Sequence, residues 1–180
     1  KYQSDEPLVN YCKQKNISFF RGNKDNVAKR FLDCSLEMKI DYAVRINGDN
    51  IFTDPSIITK MLNIARSNKW IFITNVLKRT FPEGISVEII KVSHLKEKIA
   101  FFDKYEQEHV TPYFYKNLIE DEIFNYYNTN EDLSVFKLAL DTKKDFLFLS
   151  SICDLMEKSH SAYYTDDIIK IIKVNKLSHG

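Results

Sequence analysis

Short apolar runs alternate with amphipathic helical segments along this chain, and this alternation restricts the fold more than any other feature. Four runs have the length of strands and are rich in β-branched or aromatic residues: 41–46 (DYAVRI), 70–74 (WIFIT), 85–92 (ISVEIIKV) and 136–140 (FKLAL). Apolar residues at helical spacing predict helices at 24–38, from 54, just after 92, at 143–157 and from 165. Strands that alternate with helices predict an α/β domain with a mostly parallel sheet.

Two of these helices have a recognisable start. Asp54 can accept hydrogen bonds from the first N–H groups of one helix, and Pro55 suits its first turn, where no N–H is needed. Thr165 stands just before the apolar stripe of the last helix, so the sequence predicts that it caps this helix. The apolar face predicted for 24–38 is Val27, Ala28, Phe31, Ser35 and Met38.

Length and charge exclude several classes of protein. The 180 residues suffice for one core, which predicts a single domain over 1–180. Lys and Arg total 26 against 25 Asp and Glu, so the basic excess of a nucleic-acid binder is missing. No run approaches the roughly 18 apolar residues of a membrane span.

Cys12, Cys34 and Cys153 form no C-x-x-C pair and are interpreted as reduced core thiols. We expect a cytoplasmic protein with neither nucleic-acid nor membrane partners.

Two of the predicted strands end close to an acid. The segment VRINGDNIFTDP (44–55) brings Asp49 after Gly48, and FKLAL brings Asp141. Ligands in an α/β sheet bind beyond the carboxyl ends of its strands, and two carboxylates there suit Mg²⁺. Gly48 would let the chain turn sharply and let a phosphate approach closely. Spacing alone leaves the alternative open that both acids merely terminate strands.

The glycine pattern excludes two common nucleotide motifs. Neither G-x-G-x-x-G nor G-x-x-x-x-G-K-[ST] occurs, so a dinucleotide fold or a P-loop is unsupported. Gly22 and Gly84 nevertheless lie beside strands among charged residues. Arg21, just before Gly22, is either a solvated surface cation or a phosphate contact.

Six segments in order resemble a known family: DEPLVNYC, ISFFRGNKDNV, VRINGDNIFTDP, RTFPEGISVE, EHVTPYFY and LALDTKKDF. They are similar to the cytidylyltransferases of the spore-coat polysaccharide biosynthesis type, relatives of the enzymes that make CMP-Kdo and CMP-sialic acid. The resemblance extends from about residue 4 to residue 157.

The resemblance implies a nucleotidyltransferase (Rossmann-like, glycosyltransferase-A-like) sandwich and a CTP-dependent reaction. CMP would pass to a sugar acid or a small phosphorylated metabolite with release of pyrophosphate, in cell-surface polysaccharide biosynthesis. Asp49 and Asp141 map onto the catalytic acids that hold Mg²⁺. The implied nucleotide-binding residues are Arg21, Gly22, Asn23, Asp25, Asn47 and Gly48. The implied acceptor-binding residues are Glu88, Glu108 and His109, although His109 is equally interpreted as a satisfied hydrogen-bonding residue.

One departure from the family concerns the amino terminus. Family members begin with a strand and a loop resembling A-R-x-G-S-x-R-L-P-G-K, which cradles the CTP phosphates, whereas this sequence starts on KYQSDEP. The sequence is therefore either a truncated part of a longer protein or that of a degenerate relative. We expect truncation, because a missing first strand would leave a sheet unpaired.

Other functions stay open at this point. A chain without the phosphate loop could be a non-catalytic scaffold or binding subunit with the same fold. A nucleotide other than CTP, such as GTP or UTP, is a third alternative. The aromatic stretch 103–130 is expected to be an insertion that serves dimerisation with a second copy or the acceptor site.

Overall fold

The computed structural model describes residues 5–67 and 69–179, and these residues form an α/β fold, as expected. The helices in the described chain are α1 (Glu6–Gln14), α2 (Val27–Glu37), α3 (Pro55–Ala65), α4 (Val92–Lys98), α5 (Lys104–His109), α6 (Pro112–Asn117), α7 (Lys143–Asp154) and α8 (Thr165–Val174). The strands are β1 (Tyr42–Arg45), β2 (Phe72–Thr74), β3 (Glu88–Lys91) and β4 (Ile123–Asn125). Short 3₁₀ turns span Ile99–Phe101 and His160–Ala162.

The described residues divide into two compact units. The first contains residues up to 43 together with 91–117, and in it α2 packs against α4 and α5. The second contains residues 44–90 together with those from 118 onward, and in it α3 packs against β2 and α7 against α8. The stretch 103–130 contributes α5 and α6 to the first unit and β4 to the second.

The sheet is mixed, with strand order β1-β3-β2-β4. β2 pairs in parallel with β4, placing Ile73 opposite Phe124, and antiparallel with β3, placing Ile73 opposite Ile89. The sequence predicted a mostly parallel arrangement. The difference has a topological reason: no helix lies between β2 and β3, so the chain reverses direction instead of crossing over the sheet.

β3 is shorter than the predicted strand 85–92, and the side chain of Asn75 explains why. Its Nδ2 donates to the carbonyl of Ile85 at 2.7 Å, and its Oδ1 accepts from the N–H of Val87 at 2.8 Å. Asn75 is fully buried. A side-chain amide therefore satisfies backbone groups that a neighbouring strand would otherwise satisfy.

The predicted strand 136–140 is instead one parallel bridge between Glu83 and Lys137. The N–H of Glu83 donates to Phe136 at 3.0 Å, and the N–H of Leu138 donates back to Glu83 at 2.6 Å. Pairing stops there because the partner segment turns at Gly84, whose φ is +91°. A Cβ on Gly84 would lie 2.3 Å from the carbonyl carbon of Leu138, so this turn requires glycine.

The predicted helices are present, with changes at their faces and ends. In α2 the buried residues are Ala28, Leu32 and Ser35, whereas Met38 lies beyond the helix end and is exposed. Asn26 caps this helix by accepting from the N–H of Lys29. Cys153 is exposed and Cys12 and Cys34 are only partly buried, so the prediction that the three cysteines are core thiols is wrong. No helix in residues 5–67 and 69–179 has both the length and the apolar character that a membrane crossing requires.

Asp54 caps two helices at once. Its Oδ1 accepts from the N–H of Ser56 at the start of α3, as predicted, and its Oδ2 accepts from the N–H and hydroxyl of Thr165 at 2.9 and 2.8 Å. The prediction that Thr165 caps its own helix is wrong, since its hydroxyl bonds to Asp54. Burial alone raises the pKa of the Asp54 carboxyl, but the hydrogen bonds from Thr165 and Ser56 outweigh it and lower this pKa below its ordinary value.

We expect Gly84→Ala to lower the free energy of unfolding by about 2–4 kcal/mol, because the added methyl meets backbone atoms and φ is positive. Gly48→Ala is the matched control, since nothing lies within 4 Å of a Cβ built there, and it should change stability by less than about 0.5 kcal/mol. Urea unfolding of both variants measures the difference. Equal losses in the two variants would contradict the close approach at Gly84.

Asp54→Asn should lower the free energy of unfolding at pH 7 by about 1–2 kcal/mol, because it weakens both caps. The pKa of Asp54 is lower in the folded protein than in the unfolded chain, so its ionised form stabilises the fold above about pH 4. This contribution is lost as the pH falls below that value, and the gap between variant and wild type should narrow. Unfolding followed from pH 7 to pH 2, with the exposed Asp121→Asn as control, tests this; a gap independent of pH would refute it.

Candidate active site

A cavity of about 260 Å³ in the second unit contains both aspartates that the sequence analysis singled out. Its described lining residues are Asn47, Asp49, Asn50, Arg79, Glu83, Gly84, Ser86, Ala139 and Asp141. They come from the loop after β1, from the β2–β3 connection, and from the segment before α7. Three separate stretches of chain therefore converge on one cavity.

A backbone hydrogen bond joins the two segments that carry the aspartates. The N–H of Leu140 donates to the carbonyl of Asp49 at 3.0 Å. The loop around Asp49 is itself tightened by bonds from Asn50 to Asn47 and from Ile51 to Asp49. Asp49 and Asp141 thus reach the same cavity although they are far apart in the sequence.

The two carboxylates differ in their surroundings. Asp49 Oδ1 is buried and has no hydrogen-bond partner among the described residues. Asp141 is 45% exposed, and its Oδ2 lies 2.9 Å from the ammonium of Lys137. A buried carboxylate oxygen without a donor is costly unless a ligand satisfies it.

Asp145 is not among the described lining residues of this cavity, but it organises the segment that carries Asp141. It is 1% exposed, and its Oδ2 accepts from the N–H groups of Asp141 and Thr142 at 3.1 and 2.7 Å. The same oxygen accepts from the Thr142 hydroxyl at 2.8 Å and the Lys137 ammonium at 3.2 Å, while Oδ1 lies 2.6 Å from His179 Nε2. Together with the bond from Asp145 N–H to Thr142, these contacts cap α7.

The surroundings of Asp145 strongly favour its ionised form over its protonated form. Burial alone raises the pKa of this carboxyl, but the bonds from Thr142, His179 and Lys137 more than offset it and hold the pKa well below its usual range. The buried carboxylate of Asp145 therefore holds the segment that carries Asp141, and both carboxylates contact the ammonium of Lys137. Asp145 and Lys137 received no role in the sequence analysis, although the T-x-x-D pattern of a capping box was present.

Arg79 supplies the only cation among the described residues that line the cavity. Its Nη1 donates to the carbonyl of Pro82 at 3.2 Å, and both terminal nitrogens lie 3.3 Å from Ser86 Oγ. Asn50 is held nearby through a 3.0 Å bond from its amide to the carbonyl of Ser86. Arg79 was not predicted as a site residue, because the arginine of RTFPEG carries no signal in the sequence that separates it from a surface cation.

The resemblance implies a Mg²⁺ ion, and the residues of this cavity fit one. In residues 5–67 and 69–179, no group of three or more His, Cys, Asp or Glu residues could hold a metal ion, so the described protein offers this ion two carboxylates at most. Asp49 and Asp141 provide two carboxylates, and no described residue donates a hydrogen bond to the buried Oδ1 of Asp49. Mg²⁺ in proteins often takes one or two carboxylates and completes its shell with water and substrate phosphates.

The other predicted residues of this unit have different environments. Asn47 lines the cavity. Gly48 does not have the positive φ of Gly84 and has open space beside it, so the expected sharp turn does not require glycine there. Glu88 is a buried residue of β3, and its Oε2 lies 2.5 Å from Arg45 Nη1. It is not among the described residues that line the cavity.

The remaining predicted nucleotide residues lie in the first unit. Arg21 and Gly22 line a separate cavity of about 300 Å³, and Arg21 pairs with Glu6 at 2.7 Å. The side chain of Asn23 accepts from the N–H groups of Asp25 and Asn26 at 2.9 Å each, which forms the turn before α2. Arg21 is thus a partly buried, ion-paired residue and not a solvated surface cation, and its contact with a phosphate stays a prediction.

The predicted acceptor residues Glu108 and His109 are exposed and lie at the end of α5 in the first unit. The next residue, Val110, is fully buried with φ 70° and ψ −54°, and the N–H of Thr111 bonds to the carbonyl of His109 at 2.8 Å. This is a strained γ-turn, rare for a β-branched residue. Strain of this kind concentrates at functional segments, and here it fixes the direction of the chain after His109.

Comparison with known proteins gives one consistent result. A family model described as cytidylyltransferase matches residues 3–177. A cytidylyltransferase from Leptospira borgpetersenii serovar Hardjo-bovis has a similar structure, with a TM-score of 0.91 and 30% identity over 98% of this chain and 74% of that one.

Two relatives match in sequence. An uncharacterized protein of Methanocaldococcus jannaschii is 32% identical over 148 residues, which are 80% of this chain and 59% of that protein. The spore coat polysaccharide biosynthesis protein SpsF of Bacillus subtilis is 25% identical over 150 residues, 80% of this chain and 60% of the relative. The chain thus spans about three fifths of the length of both relatives. Because the family model extends over nearly all of its residues, the chain belongs to the cytidylyltransferase family.

Proposed function

We propose that this protein transfers CMP from CTP to a small acceptor with release of pyrophosphate, in the biosynthesis of a cell-surface polysaccharide. The observation that carries the proposal is the convergence of Asp49 and Asp141 on one cavity, where a buried carboxylate oxygen of Asp49 has no hydrogen-bond partner in the part of the chain that the structure describes. Membership of the cytidylyltransferase family supports the class of reaction. The relative involved in spore coat polysaccharide biosynthesis supports the biological setting.

In the proposed reaction an oxygen of the acceptor attacks the α-phosphorus of CTP. A new oxygen–phosphorus bond forms, the bond to the bridging oxygen of the β-phosphate breaks and its electron pair leaves with pyrophosphate, and the hydroxyl proton of the acceptor passes to water. Negative charge grows on the entering and leaving oxygens, so positioning and electrostatic stabilisation provide most of the catalysis.

Asp49 and Asp141 would hold a Mg²⁺ ion in this cavity. When bound, the ion would supply positive charge beside the phosphates and a template that orients them. Asp145 keeps the Asp141 segment in place through the N–H groups of residues 141 and 142. Lys137 bridges Asp141 and Asp145, so its ammonium reduces the repulsion between these two anions.

We expect Asp49→Asn and Asp141→Asn each to lower turnover by about 10²–10³-fold, because each removes a carboxylate from the cavity. Pyrophosphate release from CTP in the presence of Mg²⁺, with sugar acids and phosphorylated sugars as acceptors, measures the effect. Asp121→Asn, which changes an exposed acid, is the matched control and should retain full activity.

Two further comparisons make this experiment decisive. Replacing CTP by UTP or GTP should abolish release of pyrophosphate, and chelation of divalent cations should do the same for the wild type. Full activity in both aspartate variants would refute the catalytic assignment. Folded wild-type protein that binds neither CTP nor Mg²⁺ would instead favour a scaffold with the same fold.

A further inference from the structure

Arg79 is a partly buried cation whose charge is not matched within the described protein. Its guanidinium bonds only to neutral oxygens, the carbonyl of Pro82 and the hydroxyl of Ser86. No carboxylate in residues 5–67 or 69–179 lies within ion-pair distance of it, although Asp49, Glu83 and Asp141 line the same cavity.

Two other cations of this unit are already paired with carboxylates. Arg45 pairs with Glu88, and Lys137 pairs with Asp141 and Asp145. Arg79 differs because its two contacts fix the guanidinium at the cavity wall without neutralising it. A planar guanidinium held in one orientation is suited to two oxygens of a carboxylate or a phosphate.

The size and charge of the cavity favour a small acidic ligand. Its volume of about 260 Å³ lies just below the range typical of small-molecule pockets. The carboxylates Asp49, Glu83 and Asp141 repel an anion, so an acidic group is stabilised only where Arg79 stands. A ligand with one acidic end and one neutral hydroxyl end would thus be oriented along the cavity.

We propose that Arg79 is the receptor for the acidic group of the acceptor, a carboxylate or a phosphate monoester. That the ligand is the acceptor substrate follows from the proposed function. That Arg79 forms an anion site follows from its geometry alone. The contact would direct the acidic end of the acceptor to the β2–β3 connection and leave its hydroxyl group free to face Asp49 and Asp141. Arg79 would then decide which acceptors bind.

Two pairs of probes test the site without CTP: glucuronate against glucose, and glucose 6-phosphate against glucose. In each pair one compound bears the acidic group and the other lacks it. Dissociation constants measured by NMR titration should favour at least one acidic probe over glucose by about tenfold or more in the wild type. The pair that shows this preference distinguishes a carboxylate from a phosphate ligand.

Arg79→Gln should abolish the preference, and Arg79→Lys should restore part of it, because an ammonium keeps the charge but not the two-pronged geometry. Lys78→Gln is the matched control, since it removes an exposed cation one residue away and should leave the preference unchanged. A preference that survives in Arg79→Gln, or that is missing in the wild type, overturns the inference. Circular dichroism of each variant verifies that the fold is retained.

The dissociation constant for CTP with Mg²⁺ separates the acceptor from the nucleotide. Arg79→Gln should change it less than about twofold. A tenfold loss of CTP binding, with acidic probes unaffected, would show that Arg79 serves the nucleotide phosphates and would refute the inference. If the wild type releases no pyrophosphate but the Arg79-dependent preference persists, the proposed function fails and the anion site stands.

Discussion

The site depends on one backbone hydrogen bond, from the N–H of Leu140 to the carbonyl of Asp49. It joins the loop after β1 to the segment before α7 and so brings two remote carboxylates to one cavity. The approach of Gly84 to the backbone of Leu138 and Ala139 completes the arrangement, because it adds the connection that carries Arg79. Backbone contacts of this kind hold side chains in place without using their functional groups.

Four aspartates of the second unit show how environment divides structural acids from candidate catalytic ones. Asp54 and Asp145 are buried, and each accepts several hydrogen bonds at helix starts, so the pKa of each lies below its ordinary value. Asp49 has a buried oxygen without a described partner, and Asp141 is half exposed. A satisfied carboxylate stabilises the fold, whereas one with spare acceptor capacity is available to a ligand.

Most elements could be predicted because their signals are local. The start of α3 at Asp54 and Pro55, the start of α7 near residue 143, and the segment of β1 follow from capping and apolar runs. The errors arose where distant residues intervene. Asn75 shortens β3, the turn at Gly84 limits 136–140 to one bridge, and Thr165 bonds to Asp54. Within the site, the motif acids were found, but Arg79, Lys137 and Asp145 were not.

The sequence by itself determined the family, the order of helices and most strands, and the two acids that follow apolar runs, since all of these depend on residues close together in the chain. Only the tertiary structure decided that Asp49 and Asp141 share a cavity, that Asp145 is a buried anchor, and that Arg79 keeps its charge available. These properties depend on burial and on partners far away in sequence, such as His179 for Asp145. Neither composition nor spacing encodes which donors and acceptors meet once the chain has folded.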